Sequence, residues 1–199
     1  TAAVNERFLR NLEAYLLCAR RHNIIVNFTF FAFAPRTGMG PADQPSAPVP
    51  NPYTDPAAIR AEPDYMLSIV NHFKAAPWLC WDLINEPSFS NPNRLWKGNT
   101  PNGDPTETAA WHKWLREKYG SPAELAAAWS VTPEQLGSFD GIPLPSEQDL
   151  SFARYRNARL VRAVDYNLFA QDMFSQWVRS MVRAIRSTGS KQLISVGQD

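Results

Sequence analysis

The sequence contains few of the residues that build disulfide frameworks or metal centres, with 2 cysteines and 3 histidines among its 199 residues. Two cysteines cannot form a disulfide framework, and three histidines leave no Cys/His spacing suited to a metal ion. The chain is therefore predicted to have no metal site.

An excess of charge of one sign is also missing. The chain has 20 Lys and Arg residues against 19 Asp and Glu residues, which leaves a formal net charge of +1. Such a balance predicts no long-range attraction of nucleic acid or of an anionic membrane surface. The longest apolar run, residues 24–34, is interrupted by Asn27 and Thr29. It is shorter than the roughly 18 apolar residues of a membrane-spanning helix, so no membrane span is predicted.

Proline and aromatic residues are abundant instead, with 17 Pro, 7 Trp and 12% aromatic residues overall. This composition is typical of ordered loops around an aromatic-lined site for neutral polar ligands. Residues 35–63 contain eight prolines, which predicts a long loop with extended segments and no regular structure. The range is either a linker between domains or an ordered loop of an active site. We favour the ordered loop because Met39, Tyr53 and the proline rings can pack together.

The ends of the chain do not resemble natural boundaries. It starts at Thr1 without an initiator methionine, a signal peptide or a basic targeting segment, and it stops at Asp199 directly after a strand-like run. We therefore expect residues 1–199 to be one partial domain, truncated at both ends. The sequence does not indicate the compartment of the protein.

Three apolar runs rich in β-branched and aromatic residues predict strands buried on both faces: Ile24–Phe33, Trp78–Ile84 and Gln192–Val196. Helical periodicity fills the segments before and between them. The expected helix starts are Asn5 as a cap, Pro63 in a first turn, Thr106 and Ser121 as caps, and Glu147 at the start of a stretch that runs to Ser187.

Strands that alternate with helices predict parallel βαβ units, with Trp78–Ile84 as the central strand. Two architectures fit this order, a doubly wound sheet and a (β/α)8 barrel. No glycine-rich phosphate loop follows any of the strands, which argues against the first. Two long loops, residues 35–63 and 85–105, follow the carboxyl ends of strands, where barrel enzymes build their sites. The α/β fold predicted is therefore a partial (β/α)8 (TIM) barrel, since three strands cannot close one.

A carboxyl group follows the central strand, in Asn85-Glu86-Pro87. A general acid that works near neutral pH needs a raised pKa, and apolar surroundings raise the pKa of a carboxyl group by penalising its charged form. Asn85 could donate a hydrogen bond to a substrate hydroxyl. The same tripeptide also makes an ordinary turn after a strand, so the tripeptide alone does not establish a catalytic role.

The wider segment from Ile69 to Pro87 resembles the clan A glycoside hydrolases, (β/α)8 enzymes whose strand four ends in Asn-Glu-Pro. The segment from Trp114 to Trp129 is similar to a stretch common in the β-galactosidase branches of that clan. The cellulase and mannanase branch is similar around strand four. The resemblance implies that the three predicted strands are strands three, four and five of such a barrel.

By this resemblance, Glu86 is the general acid/base of a retaining glycosidase that cleaves β-linked sugars without a cofactor. Asn85 would hold the 2-hydroxyl group of the sugar at the cleavage point. The nucleophile of the family is a glutamate at the end of strand seven, which lies outside this chain. The resemblance thus implies that residues 1–199 alone are inactive.

Four further residues lie near Glu86 in the predicted fold or on the loop that follows it. Asp82 lies four residues before Glu86, roughly 13 Å away along a strand. A retaining pair of carboxylates is about 5–5.5 Å apart, so Asp82 is predicted to be a carboxylate satisfied by hydrogen bonds inside the barrel. Gln198 and Asp199 end a strand that should neighbour Glu86, which predicts substrate contacts. Trp96, on the loop after Glu86, either stacks on a sugar ring or packs the loop.

Two other functions remain open from the sequence. A non-catalytic barrel that binds carbohydrate would keep Asn85 and Trp96 but lack a nucleophile in the complete protein. An interaction scaffold of long amphipathic helices would not respond to sugars. The expected partner of the glycosidase and of the non-catalytic barrel is a carbohydrate, and the sequence does not indicate an oligomeric state.

Overall fold

The structure, a computed structural model, describes residues 4–32, 51–87, 101–150 and 159–197, with side chains described from residue 161 in the last range. The chain divides into two compact units. The first comprises Thr1–Pro87 and Gln176–Asp199, and the second comprises Ser88–Ser175. Trp96, Gln198 and Asp199 lie outside the described residues.

The first unit is built on a parallel sheet of three strands, β1 (Val26–Ala32), β2 (Leu79–Asn85) and β3 (Ile194–Ser195). The strand order is β1-β2-β3, and both pairs of neighbours are parallel. The prediction of a central parallel strand with the other two on either side is confirmed.

The strands differ from the prediction in length and burial. Leu79, Trp81, Leu83 and Ile84 of β2 are fully buried, as expected of a strand covered on both faces. In contrast, Asn27 and Thr29 of β1 are exposed, so the prediction that β1 is buried on both faces is wrong for the described residues. β1 is an edge strand here, since β2 is its only neighbour in the described sheet.

The predicted strand boundaries were also too wide. Ile24 and Ile25 precede β1 and are exposed, so β1 begins at Val26. Phe33 lies outside the described residues. Only Ile194 and Ser195 of the third predicted strand form the ladder with β2.

Two helices of the first unit precede β1 and β2. Helix α1 (Glu6–Arg21) begins after Asn5, whose side chain accepts a hydrogen bond from Arg7 N, so the predicted cap is confirmed. Helix α2 (Pro56–Phe73) begins seven residues before Pro63, which was wrongly placed in the first turn. The Asp55 side chain accepts from Ala57 N and Pro56 takes the first helical position, which favours the earlier start.

The second unit contains α3 (Pro105–Tyr119), α4 (Pro122–Trp129), the short helix α5 (Pro133–Leu136) and a 3₁₀ turn at Phe139–Gly141. Ser121 and Thr132 cap α4 and α5 with their side chains, and the predicted Ser121 cap is confirmed. The predicted cap at Thr106 is wrong, because Asp104 accepts from the backbone N–H groups of both Thr106 and Glu107.

Helix α6 (Arg159–Ser187) begins later than Glu147, where the periodicity predicted it. Its residues up to Ser175 belong to the second unit and the rest to the first. A cluster of buried, mostly aromatic residues forms the core of the second unit: Trp111, Leu115, Leu125, Trp129, Phe139, Ile142, Tyr166 and Phe169. Among the described residues, no helix is both long and apolar enough to cross a membrane.

Candidate active site at the end of the central strand

Asn85 and Glu86 lie at the carboxyl end of β2, where the sequence predicted them. Asn85 is the last residue of the strand and is exposed, and Glu86 follows it half-buried. Glu86 has a φ of 51°, in the left-handed region that non-glycine residues adopt rarely. The chain therefore turns sharply at Glu86, and Pro87 prevents the strand from continuing. A rare backbone conformation beside exposed polar groups is typical of functional sites.

Asp82 lies on β2 before these residues and joins three chain segments. Its Oδ2 accepts a hydrogen bond from Thr29 Oγ1 of β1 at 2.9 Å. Its Oδ1 accepts from Ser195 Oγ of β3 at 3.1 Å and from Gly197 N at 3.0 Å. Asp82 is only 5% exposed, and its oxygens are occupied by these three donors. The prediction of a carboxylate satisfied by hydrogen bonds is confirmed.

Gly197 brings the end of β3 against the end of β2. Its N–H also donates to Ile84 O at 2.9 Å. A methyl group at Gly197 would lie 3.1 Å from Ile84 O and 3.3 Å from Asn85 Cα, closer than ordinary van der Waals contact. Only glycine fits at this position without a shift of the neighbouring backbone.

The structure thus brings Asn85, Glu86 and the segment after β3 to the same edge of the sheet. The sequence reasoning missed the contributions of Thr29, Ser195 and Gly197. The side chains of Thr29 and Ser195 face Asp82 because their positions pair with it in the parallel ladders. That pairing depends on strand register, which the sequence does not specify on its own.

Two buried glutamates lie elsewhere and were also missed. Burial raises the pKa of Glu62 in α2 to about 8, although a hydrogen bond from Trp177 Nε1 at 2.7 Å opposes this shift. Burial likewise raises the pKa of Glu107 in α3, which accepts hydrogen bonds from Tyr166 Oη and from Gly103 N. Each carboxyl group fixes its helix to other residues of its own unit, the first unit for Glu62 and the second for Glu107.

A pocket of about 310 Å³ also lies in the first unit, away from Asn85 and Glu86. Its lining includes Tyr53, Ile59, Trp177 and Arg183. Within the described ranges, no group of three or more His, Cys, Asp or Glu residues could hold a metal ion.

Comparisons with known proteins identify a family that the sequence matches. Residues 68–196 match the Glyco_hydro_42 family, described as β-galactosidase, and they include β2, Asn85, Glu86 and β3. Comparison with curated protein sequences gave no match.

Three solved structures share the fold at low sequence identity. A β-galactosidase from the psychrophilic Marinomonas ef1 is 16% identical, with a TM-score of 0.57 over 92% of this chain and 25% of its own. A β-galactosidase from Bacillus circulans sp. alkalophilus is 16% identical, with a TM-score of 0.58 over 91% of this chain and 24% of its own. An exo-β-agarase is 18% identical, with a TM-score of 0.55 over 92% of this chain and 24% of its own.

The chain thus spans about a quarter of the length of these structures. Its mixed helix and strand fold, with a small parallel sheet, resembles part of their barrels. The resemblance of the sequence to clan A glycoside hydrolases is confirmed, and the chain belongs to the β-galactosidase family Glyco_hydro_42.

Proposed function

We propose that this chain is the section of a (β/α)8 barrel that supplies the general acid/base of a retaining β-glycosidase acting on β-galactosides. The observation that carries the proposal is the position of Asn85-Glu86 at the carboxyl end of the central parallel strand, within the segment that matches the family. The carboxyl ends of strands are where barrel enzymes place catalytic groups. The galactoside preference rests on the family and on the names of the similar structures.

In the proposed reaction, a carboxylate nucleophile outside this chain attacks the anomeric carbon and the glycosidic C–O bond breaks. Glu86 gives its proton to the departing oxygen, which leaves a covalent glycosyl-enzyme. Glu86 then takes a proton from water, the water attacks the anomeric carbon, and the nucleophile is released. The half-buried position of Glu86 suits both steps, because its carboxyl group remains accessible to substrate and water.

The remaining candidate residues have binding roles in this proposal. Asn85, exposed at the strand end, donates a hydrogen bond to the sugar 2-hydroxyl. Trp96 stacks on a sugar ring, and Gln198 and Asp199 contact the substrate. Residues 1–199 form one partial domain of the enzyme and are inactive alone, since the second carboxylate lies elsewhere.

The decisive test replaces Glu86 by Gln in the full-length protein that contains this chain. The Glu86→Gln side chain keeps its size but cannot transfer a proton. Turnover of an unactivated β-galactoside should fall by about 10²–10⁴-fold. An activated aryl β-galactoside needs no proton for departure, so the glycosyl-enzyme should still form and accumulate. We expect a burst of released phenol, and added azide should restore turnover by replacing the activated water.

Asp82→Asn is the control, because it alters a buried carboxylate of the same strand that transfers no proton in the proposed reaction. It should show neither a burst nor rescue by azide. Wild-type turnover of the unactivated substrate by Glu86→Gln would refute the acid/base role. Binding of β-galactosides without any turnover in the wild-type protein would instead support a non-catalytic carbohydrate-binding barrel.

A further inference from the structure

Asp82 and Gly197 make contacts that converge on Asn85. Asp82 is buried, and its three donors come from β1, from β3 and from the segment after β3. A single side chain thus fixes the mutual position of all three described strands, three residues before the end of β2. Asn27 Nδ2 also donates to Ser195 Oγ at 3.5 Å, which adds a weak link across the same edge.

Gly197 lies between Asp82, to which it is hydrogen-bonded, and Asn85. Its N–H is shared between Ile84 O and Asp82 Oδ1, so the backbone after β3 is held from both sides. A methyl group on Gly197 would lie 3.3 Å from Asn85 Cα and 3.5 Å from Asn85 Oδ1. The backbone and the side-chain amide of Asn85 therefore border the space that a side chain at position 197 would occupy.

Asn85 itself is exposed, so little of its side chain is fixed by packing. A hydrogen-bonding group that recognises a substrate must be held within a fraction of an ångström, because a displacement of about 1 Å can cost about 100-fold in rate. The backbone at Gly197 lies beside Asn85 and limits the space on that side, and Asp82 fixes the backbone at Gly197.

We infer that Asp82 and Gly197 are positioning residues that hold the amide of Asn85 in place for a sugar 2-hydroxyl group. This inference rests on the proposed function, since it assigns the support of a residue in that site. Neither residue touches the reacting atoms. Their effect on the reaction passes through Asn85 and not through Glu86.

The first experiment combines a change in the protein with a change in the substrate. Gly197→Ala in the full-length protein introduces the methyl group that the space beside Asn85 does not accommodate. We expect kcat/KM for an aryl β-galactoside to fall by about 10- to 100-fold. For the 2-deoxy analogue, which lacks the hydroxyl that Asn85 would bind, kcat/KM should remain close to that of the unmodified protein.

Gly141→Ala is the matched control, because the nearest atom to its new methyl group would be Ser138 Oγ at 3.9 Å. It should leave kcat/KM for both substrates unchanged. If Gly197→Ala lowers kcat/KM equally for both substrates, the inference is wrong, because the loss then comes from a general distortion of the site. No loss on either substrate would overturn it as well.

A second pair of variants tests Asp82. Asp82→Asn retains an oxygen that can accept from Ser195 and Gly197, whereas Asp82→Ala removes every contact. We expect Asp82→Ala to lose the preference for the 2-hydroxy substrate and Asp82→Asn to retain most of it. Should Asp82→Ala fail to fold, Ser195→Ala, which removes one donor to Asp82 Oδ1, takes its place, and an unchanged preference for the 2-hydroxy substrate would overturn the role of Asp82.

The outcomes also separate this inference from the proposed function. Azide rescue of Glu86→Gln together with equal losses on both substrates by Gly197→Ala would leave the acid/base role intact and refute the positioning role. Unchanged turnover by Glu86→Gln would refute the acid/base role, whatever the preference for the 2-hydroxy substrate.

Discussion

The two ends of β2 use polar side chains in opposite ways. Toward the amino end, Trp81 Nε1 donates to Gln192 Oε1 at 2.7 Å, and Gln192 Nε2 donates to the carbonyl groups of Phe73 and Ala76. Gln192 is buried, and all of these groups are satisfied within the protein. At the carboxyl end, Asn85 is exposed and Glu86 is half-buried.

This difference in the burial of polar groups arises within one strand of seven residues. Polar groups at the amino end bind one another and fix the chain segments around the start of the strand. Among the described residues at the carboxyl end, Asp82 is occupied by internal hydrogen bonds, whereas Asn85 is exposed and Glu86 is half-buried. Parallel sheets in barrel enzymes show the same division between a stabilising face and a catalytic face.

The largest expected effect on stability comes from the amino end. Gln192→Ala removes three buried hydrogen bonds, to Trp81 Nε1 and to the carbonyls of Phe73 and Ala76, although each of these groups keeps a second partner. Each lost hydrogen bond costs about 0.5–1.5 kcal/mol. We expect the free energy of unfolding to fall by about 2–4 kcal/mol in a urea titration of the full-length protein.

The neighbouring Leu193→Ala is the control, because Leu193 is 73% exposed and should change stability by less than about 0.5 kcal/mol. If Gln192→Ala lowers the free energy of unfolding no more than Leu193→Ala does, the amino end of β2 is not the more stabilising one.

An intermediate effect concerns Glu62, which lies away from both ends. Its pKa is raised to about 8 in the folded protein, above that of an unfolded carboxyl group, so the folded state holds the proton more tightly. Stability should therefore fall as the pH rises from about 4.5 to about 8 and then level off. Unfolding free energies measured across this range test the sign.

Glu62→Gln should remove this part of the pH dependence and raise stability at pH 8 by more than about 1 kcal/mol, because the variant carries no buried charge. Its amide oxygen can still accept the hydrogen bond from Trp177. If the slope persists in Glu62→Gln, another buried carboxyl group causes it, such as that of Glu107, whose pKa burial also raises.

The smallest expected effect on stability is at the carboxyl end of β2. Glu86→Gly removes a side chain held at a φ of 51°, and glycine adopts this conformation without steric cost. We expect a gain in stability of about 0.5–1 kcal/mol together with the loss of activity on unactivated β-galactosides.

Ser130→Gly serves as the matched variant, since Ser130 has a φ of 55° at the end of α4. It should gain a similar amount of stability and keep full activity. Destabilisation by Glu86→Gly would show that the side chain of Glu86 contributes to folding after all.

The sequence was sufficient to predict the central strand and the position of Glu86. The apolar residues between Leu79 and Ile84, interrupted by Asp82, indicate a buried strand, and Pro87 marks its end. The periodicity also predicted the order of helices and strands. The family match supports the resemblance inferred from the sequence, because the residues that carry that resemblance lie within the matched range 68–196.

The features that were missed depend on contacts between distant residues. Glu62 is buried against Trp177, which is 115 positions away, and a glutamate in an amphipathic helix gives no local sign of such a partner. The need for glycine at position 197 arises from Ile84 and Asn85 on another strand. The helix starts at Asp55 and Asp104 could have been recognised locally, since each is followed by a proline.

Those prolines have a consequence for the unfolded chain. In the part of the chain that the structure describes, four helices begin with a proline directly after a capping residue, at Pro56, Pro105, Pro122 and Pro133. Each ring fixes its own φ before any helix exists, so the chain has less conformational entropy to lose when it folds. At about 0.4–1 kcal/mol for each compatible proline, these four residues together favour folding by roughly 2–4 kcal/mol. Part of the high proline content therefore acts on the unfolded ensemble, by restricting it at the positions where helices will start.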